Sequence, residues 1–168
     1  MRYLTIFLIA SSALFAQNPI VDSSKALYSM VKDSTLRSAE KVPESLWSYQ
    51  PTPEIRTWGQ LVAHLADGQY EFCGAASTGK PVMKDLEKTL KTKAETVAAL
   101  KESFAYCDAV WAKMTDAEAA QPAGIFGMKS TKLGIMNFNT AHSNEHYGNM
   151  VTYMRLKGIV PASSEPRK

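Results

Sequence analysis

Histidine is scarce in this chain of 168 residues: only His64, His142 and His146 occur. His142 and His146 stand four apart, so on a helix both rings leave the same face one turn apart. Two imidazoles at that spacing suit a single metal ion. His64 falls two turns inside another amphipathic segment, and two facing helices of a bundle can bring three such rings together. Three imidazoles with one open position are the composition of a catalytic zinc site, whereas closed structural sites take four ligands, mostly thiolates. A divalent ion held this way lowers the pKa of a bound water to about 7, or holds a thiolate ready to attack. Zinc is the expected ion, and nickel, manganese and iron suit the same ligands. The competing reading is three core histidines that bind nothing. An i, i+4 pair alone is weak evidence; the pair together with the only other histidine favours a site.

Other side chains are less specific. Asp67, one turn after His64, and Glu145 are candidates to accept the second N–H of a ligating ring, although Glu145 reads more simply as a solvated carboxylate. Tyr147, Tyr153 and Trp111 could line a pocket, and core packing explains each equally well. No residue identifies itself as a general base. The string His142-Ser143-Asn144-Glu145-His146 also matches the H-x-x-E-H pattern of the inverzincin proteases, with Glu145 as base. Against it, only residues 147–168 follow, too few for a distant downstream ligand, and the third histidine lies upstream.

Composition narrows the classes further. A hydrophobic fraction of 45% with 21% charged residues describes one globular domain with a sizeable core. A net charge of +3 without a clustered basic patch argues against a nucleic-acid binder. Two cysteines are too few for a disulfide scaffold or an all-cysteine zinc site. No internal repeat and no Walker, Rossmann or nucleophile-elbow pattern is present.

Residues 1–16 carry Arg2 and then an apolar run from Tyr3 to Phe15 that ends in small residues. That is the layout of a secretory signal peptide, and the run is shorter than the ~20 residues that span a bilayer. Cleavage is expected after Ala16, although Leu14 rather than a small residue sits three positions before that bond. No cysteine follows to take a lipid. The mature chain, from Gln17, is expected in the periplasm or secreted, with no later segment able to span a membrane.

The elements that must position the histidines are helical. The first helix is predicted from about Val21 to Lys41, capped by Asp22 or Ser23 and stopped by Pro43, with Leu27, Met30, Val31 and Ala39 as its apolar stripe. A connector with three prolines, residues 43–56, packs through Trp47 and Ile55. The second helix opens on the capping box Thr57-Trp58-Gly59-Gln60 and carries Trp58, Leu61, Val62, Leu65, Phe72 and Cys73 inward before ending near Gly74–Gly79. The third opens on Thr92-Lys93-Ala94-Glu95, with Val97, Leu100, Phe104, Cys107, Trp111 and Met114 as core. Thr115–Lys129 reads as a loop, broken by Pro122, Gly124 and Gly127. The fourth helix runs from about Thr131 to Lys157, ended by Gly158 and Pro161, with Arg155 and Lys157 against its dipole. No strand is expected, and residues 162–168 read as a disordered tail.

Four such helices make an all-α four-helix bundle over residues 17–161. Connectors of about fifteen residues exceed the ~2–8 that antiparallel neighbours need, so one can cross over and leave consecutive helices parallel. The cysteines depend on this. Cys73 and Cys107 lie at nearly equal depths in the second and third helices, so a bridge requires those helices to run parallel. Both also lie on core stripes, and the reading favours two buried reduced thiols.

Two segments resemble a known family. His142 to Asn149 (HSNEHYGN), followed by Tyr153 to Pro161 (YMRLKGIVP), resembles the C-terminal signature of the DinB-like family: H-x-x-x-H-x-G-Q, a Y-x-R step, then G-x-x-P-P. Arg56 to His64 (RTWGQLVAH) resembles its second-helix motif, which ends in the first metal-binding histidine. Asn149 stands for the usual Gln and Ala162 for the second Pro. The likeness spans Val21 to Pro161. It implies an up-down-down-up four-helix bundle in which His64, His142 and His146 hold a divalent metal ion. It further implies a metal-dependent hydrolase or S-transferase acting on a small molecule, with a homodimer as an assembly the family often adopts. Many members are cytosolic, and the family's transferases use cytosolic thiols, which sits uneasily with export. The reading from a different class is an exported bundle that binds metal or ligand without turnover.

Overall fold

The computed structural model describes residues 18–166. The expected signal peptide lies outside the described residues. Among those described, the helices are α1 (Pro19–Lys41), α2 (Trp58–Thr78), the one-turn α3 (Leu86–Thr89), α4 (Lys93–Lys113), the one-turn α5 (Asp116–Ala119) and α6 (Lys132–Leu156). The four long helices form the bundle.

Named contacts fix its order. Tyr28 of α1 donates its hydroxyl to the Phe104 carbonyl (3.1 Å) and to Asp108 (3.0 Å), while Lys101 pairs with Glu40. The start of α1 therefore meets the end of α4, and the two run antiparallel. Tyr70 of α2 packs against Tyr106 of α4 with ring centroids 5.3 Å apart, and Cys73 and Cys107, three residues and one residue further on, are cross-linked. Trp58 of α2 meets Tyr153 of α6, while Gln69 reaches Ser143, so these helices are antiparallel. The order is up-down-down-up, with α2 and α4 parallel.

Both capping boxes form: Thr57 with Gln60, and Thr92 with Glu95. Their reciprocal hydrogen bonds satisfy backbone donors that a helix start leaves open. Trp58, Leu61, Val62, Leu65, Phe72, Leu100, Phe104 and Trp111 fill the core as expected, and Trp47 packs onto it.

Several expectations are corrected. α1 begins at Pro19 rather than Val21, and neither Asp22 nor Ser23 caps it. Proline at the first helical position brings a preset φ. The free N–H groups of Ile20 and Val21 donate instead to the carboxylate of Asp116, which no local pattern reveals. Leu27 and Met30 are exposed; the inward face is Val21, Tyr28, Thr35, Ser38 and Ala39. That face buries small residues where the C-terminal segment comes close, the amide of Ala162 reaching the Ser38 hydroxyl at 3.4 Å. Ile55 is likewise exposed.

The loop expected at Thr115–Lys129 instead holds α5 and an antiparallel hairpin of β1 (Pro122–Ile125) and β2 (Met128–Thr131). Its two-residue turn places Phe126 at φ 51° and Gly127 at φ 81°. The cysteines, expected reduced, form a disulfide with Cα atoms 5.4 Å apart, because the parallel order sets them at one height. The tail is ordered through Pro166: residues Ala162–Ser164 form a 3₁₀ turn, and Glu165 pairs with Lys41 and Arg37.

Candidate metal centre

Antiparallel packing of α2 and α6 sets His64 opposite His142 and His146. Nε2 of His142 lies 3.1 Å from Nε2 of His64 and 3.1 Å from Nε2 of His146. One ligand atom from each ring falls within 4.8 Å of the others. All three histidines singled out in the sequence therefore converge on one point.

Their chemistry fits a cation. A neutral imidazole nitrogen offers one in-plane lone pair or one proton. Nε2 of His142 can satisfy only one of its two neighbours, so the rings alone are mismatched. An ion taking a lone pair from each removes the mismatch. Three nitrogens at about 2.1 Å from one tetrahedral ion lie about 3.4 Å apart, a few tenths of an ångström beyond the two 3.1 Å separations found.

Electrostatics keeps the lone pairs free. Burial, then the proximity of His146, His64 and Arg56, pushes His142 down to about 3. Burial and His64 push His146 down to about 4. For His64, burial and the Arg56 charge outweigh Glu87 and Asp67 and lower it as well. All three rings are neutral near pH 7, the form that ligates.

The supporting residues differ from expectation. Asp67 was expected to accept from a ligating ring. Its carboxylate instead accepts the backbone N–H groups of Leu86 and Glu87, at 2.9 Å each, and so fastens the first turn of α3. α3 carries Glu87, whose Oε2 lies 3.2 Å from Nδ1 of His64. The other oxygen of Glu87 accepts from Nε of Arg56 at 2.9 Å. Sequence reasoning missed Glu87 and Arg56 as site residues, since Glu87 sits in a connector without periodicity.

At His146, the Asn149 amide lies 3.5 Å from Nδ1. Nδ1 of His142 is buried without a partner. That ring packs on Gly68, where a Cβ would stand 2.9 Å from Cε1 of His142, so glycine is required for the ring to lie where it does. Glu145 is exposed, as a solvated carboxylate should be. Tyr147 accepts from the Ser163 amide (3.0 Å), Tyr153 donates to the Arg56 carbonyl (2.7 Å), and Trp111 packs on Tyr28; each has a structural task. The His64 side chain keeps 24% of its surface exposed, which leaves the centre accessible from solvent.

A four-helix bundle with parallel central helices and a three-histidine cluster between the second and last long helices defines the class. Residues 27–150 match the model of the DinB superfamily, and the chain belongs to that superfamily. Solved structures share the fold. A DinB-like protein of Bacillus subtilis, YjoA, superposes with TM-score 0.70 at 19% identity, covering 86% of this chain and 99% of its own. YfiT of Bacillus subtilis, described as a probable metal-dependent hydrolase with an unusual four-helix bundle topology, gives TM-score 0.64 at 17% identity, covering 91% and 94%. A mycothiol-dependent maleylpyruvate isomerase gives TM-score 0.65 at 15% identity; the match covers 77% of this chain but only 60% of that larger one. No curated protein matches the sequence.

Proposed function

We propose that this protein is an exported, metal-dependent hydrolase of small molecules, with His64, His142 and His146 holding the ion through Nε2. The observation that carries the reading is the convergence of three neutral Nε2 atoms, two contacts of 3.1 Å sharing His142, in a site open to solvent. A divalent ion bound there supplies Lewis acidity toward a carbonyl or phosphoryl oxygen and lowers the pKa of a water. The chain's own residues supply the rest. Glu87 holds the proton of His64 on Nδ1, so Nε2 presents its lone pair. Arg56 fixes the Glu87 carboxylate, and Asp67 fixes the helix turn that carries it. Gly68 lets the His142 ring approach the backbone of α2 closely.

Zinc is the ion this nitrogen set suits best; the likeness to YfiT, a probable metal-dependent hydrolase, supports hydrolysis, and the likeness to a mycothiol-dependent isomerase supports thiol chemistry. Hydrolysis is the better choice. A buried Cys73–Cys107 cross-link fits an oxidising compartment, where a small thiol co-substrate is not kept reduced. Export also fits the apolar leader of residues 1–16.

A panel of carboxyl esters, amides and phosphoesters, assayed with zinc-loaded and chelated protein, tests the activity. Turnover that requires metal and disappears in His142→Ala supports the reading. Metal-loaded protein inert on the panel but active in thiol transfer would replace hydrolysis with the transferase reading. For export, the protein recovered from the producing cell should begin at Gln17; an intact Met1 end would contradict it.

A further inference from the structure

The paired faces of α2 and α6 continue beyond the histidines as a line of aromatic contacts. His64, Gly68 and Phe72 follow one another at four-residue steps on one face of α2, and Phe138, His142 and His146 do the same on α6. Antiparallel packing sets His64 against His146, Gly68 against His142, and Phe72 against Phe138. The Phe72 ring lies 5.3 Å from the His142 ring and 5.4 Å from Phe138. At the hairpin tip, Phe126 adds a third ring, 6.3 Å from Phe72 and nearly perpendicular to it. Phe72 is buried, but Phe138 is 48% exposed and Phe126 is 67% exposed. An apolar face thus starts in contact with a candidate ligand and leads away from it.

The turn that presents Phe126 is chemically unexpected. Both of its residues have positive φ, the arrangement of a two-residue I′ hairpin turn. Such turns favour Asn-Gly or Asp-Gly, and a bulky side chain at the first position is strained. The hairpin therefore carries a phenyl ring where turn formation alone calls for asparagine.

We propose that Phe72, Phe126 and Phe138 form a subsite for an aromatic ring of the small-molecule substrate whose polar group meets the metal. The proposal rests on the metal-centre reading. Its dimensions suit one small molecule: four to eight residues along a helix span about 6–12 Å. A macromolecular partner needs far more surface. Two partly exposed phenyl rings offer on the order of 200 Å², against roughly 800 Å² per partner in a stable complex.

The test is calorimetric titration of the zinc-loaded full chain with acetohydroxamate and with 3-phenylpropanohydroxamate. The two share a metal-binding group and differ by a benzyl group. The wild type should prefer the phenyl compound by about tenfold, from burial of one ring among aromatic neighbours. In Phe126→Asn and Phe138→Ser the preference should fall to about twofold or less, with acetohydroxamate affinity and zinc content unchanged. Phe126→Asn leaves the turn with its favoured residue, so loss of fold does not confuse the result. Equal affinities in the wild type would overturn the proposal, as would a preference that survives both substitutions. A dimer in sedimentation that dissociates in these variants would also overturn it, by assigning the rings to a second copy. If neither hydroxamate binds zinc-loaded protein, the metal-centre reading fails first and this inference with it.

Discussion

Glu87 shows how a single carboxylate can orient a candidate metal ligand from outside the histidine cluster. Bound to Nδ1 of His64 at 3.2 Å, it fixes which nitrogen carries the proton and how the ring is turned. Glu87→Gln keeps the size and removes the charge; zinc affinity measured by competition with a chelating dye should fall about tenfold or more. Unchanged affinity would leave Glu87 a mere surface partner of Arg56. The histidines also impose a pH dependence on the metal-free protein. Unfolded histidine titrates near 6.5, whereas folded His142 and His146 hold off protons to about 3 and about 4. Below pH 6.5 the unfolded chain binds more protons, so stability present above that pH is lost progressively toward pH 4. Melting temperature followed from pH 7.5 to 4 should fall in the metal-free protein, and fall less steeply in His142→Gln; parallel curves would contradict the assignment. At this scale the sequence disclosed the three rings, because histidine is rare here and four-residue spacing has one meaning on a helix. It did not disclose Glu87, which only the fold of α3 onto Asp67 brings to His64.

Local chemistry decided which elements could be foreseen. The boxes at Thr57 and Thr92 are complete within four residues each, so the starts of α2 and α4 were legible. Thr57→Ala should lower unfolding free energy by about 1 kcal/mol in urea titration; no change would mean that packing of Trp58 alone sets the helix start. The start of α1 was not legible, since its capping carboxylate, Asp116, lies far along the chain. The inward face of α1 was misread for a related reason. Its larger apolar side chains, Leu27 and Met30, point to solvent, while the small Thr35, Ser38 and Ala39 allow close approach. The hairpin escaped notice because Phe126-Gly127 is not a usual turn pair and its strands are four residues each.

Across the whole molecule, the disulfide is the bond that the bundle order makes available. It joins residues 34 apart in sequence and ties the two parallel helices in the middle of the core. Closing a loop of that size stabilises by about 3–4 kcal/mol in the chain-entropy account. The double variant Cys73→Ala, Cys107→Ala should therefore unfold at a clearly lower guanidinium concentration, and an unchanged midpoint would mean that the cross-link adds nothing to the packed core. The pairing could not be read from the chain alone, because it depends on whether the second and third long helices run parallel. Long connectors permitted that order, and the family resemblance implied it. The ordered C-terminal segment was hidden too: Ala162 is buried and Glu165 is held by charges on α1, contacts without a local signal. The candidate site has its own requirement, that α2 and α6 face each other in the register that brings three rings to one point. Metal content per chain tests that requirement most directly. By plasma mass spectrometry on untagged full chain, the account predicts about one divalent ion per chain, lost in both His64→Ala and His142→Ala. Substoichiometric metal that survives both substitutions after reconstitution would contradict a shared three-histidine site.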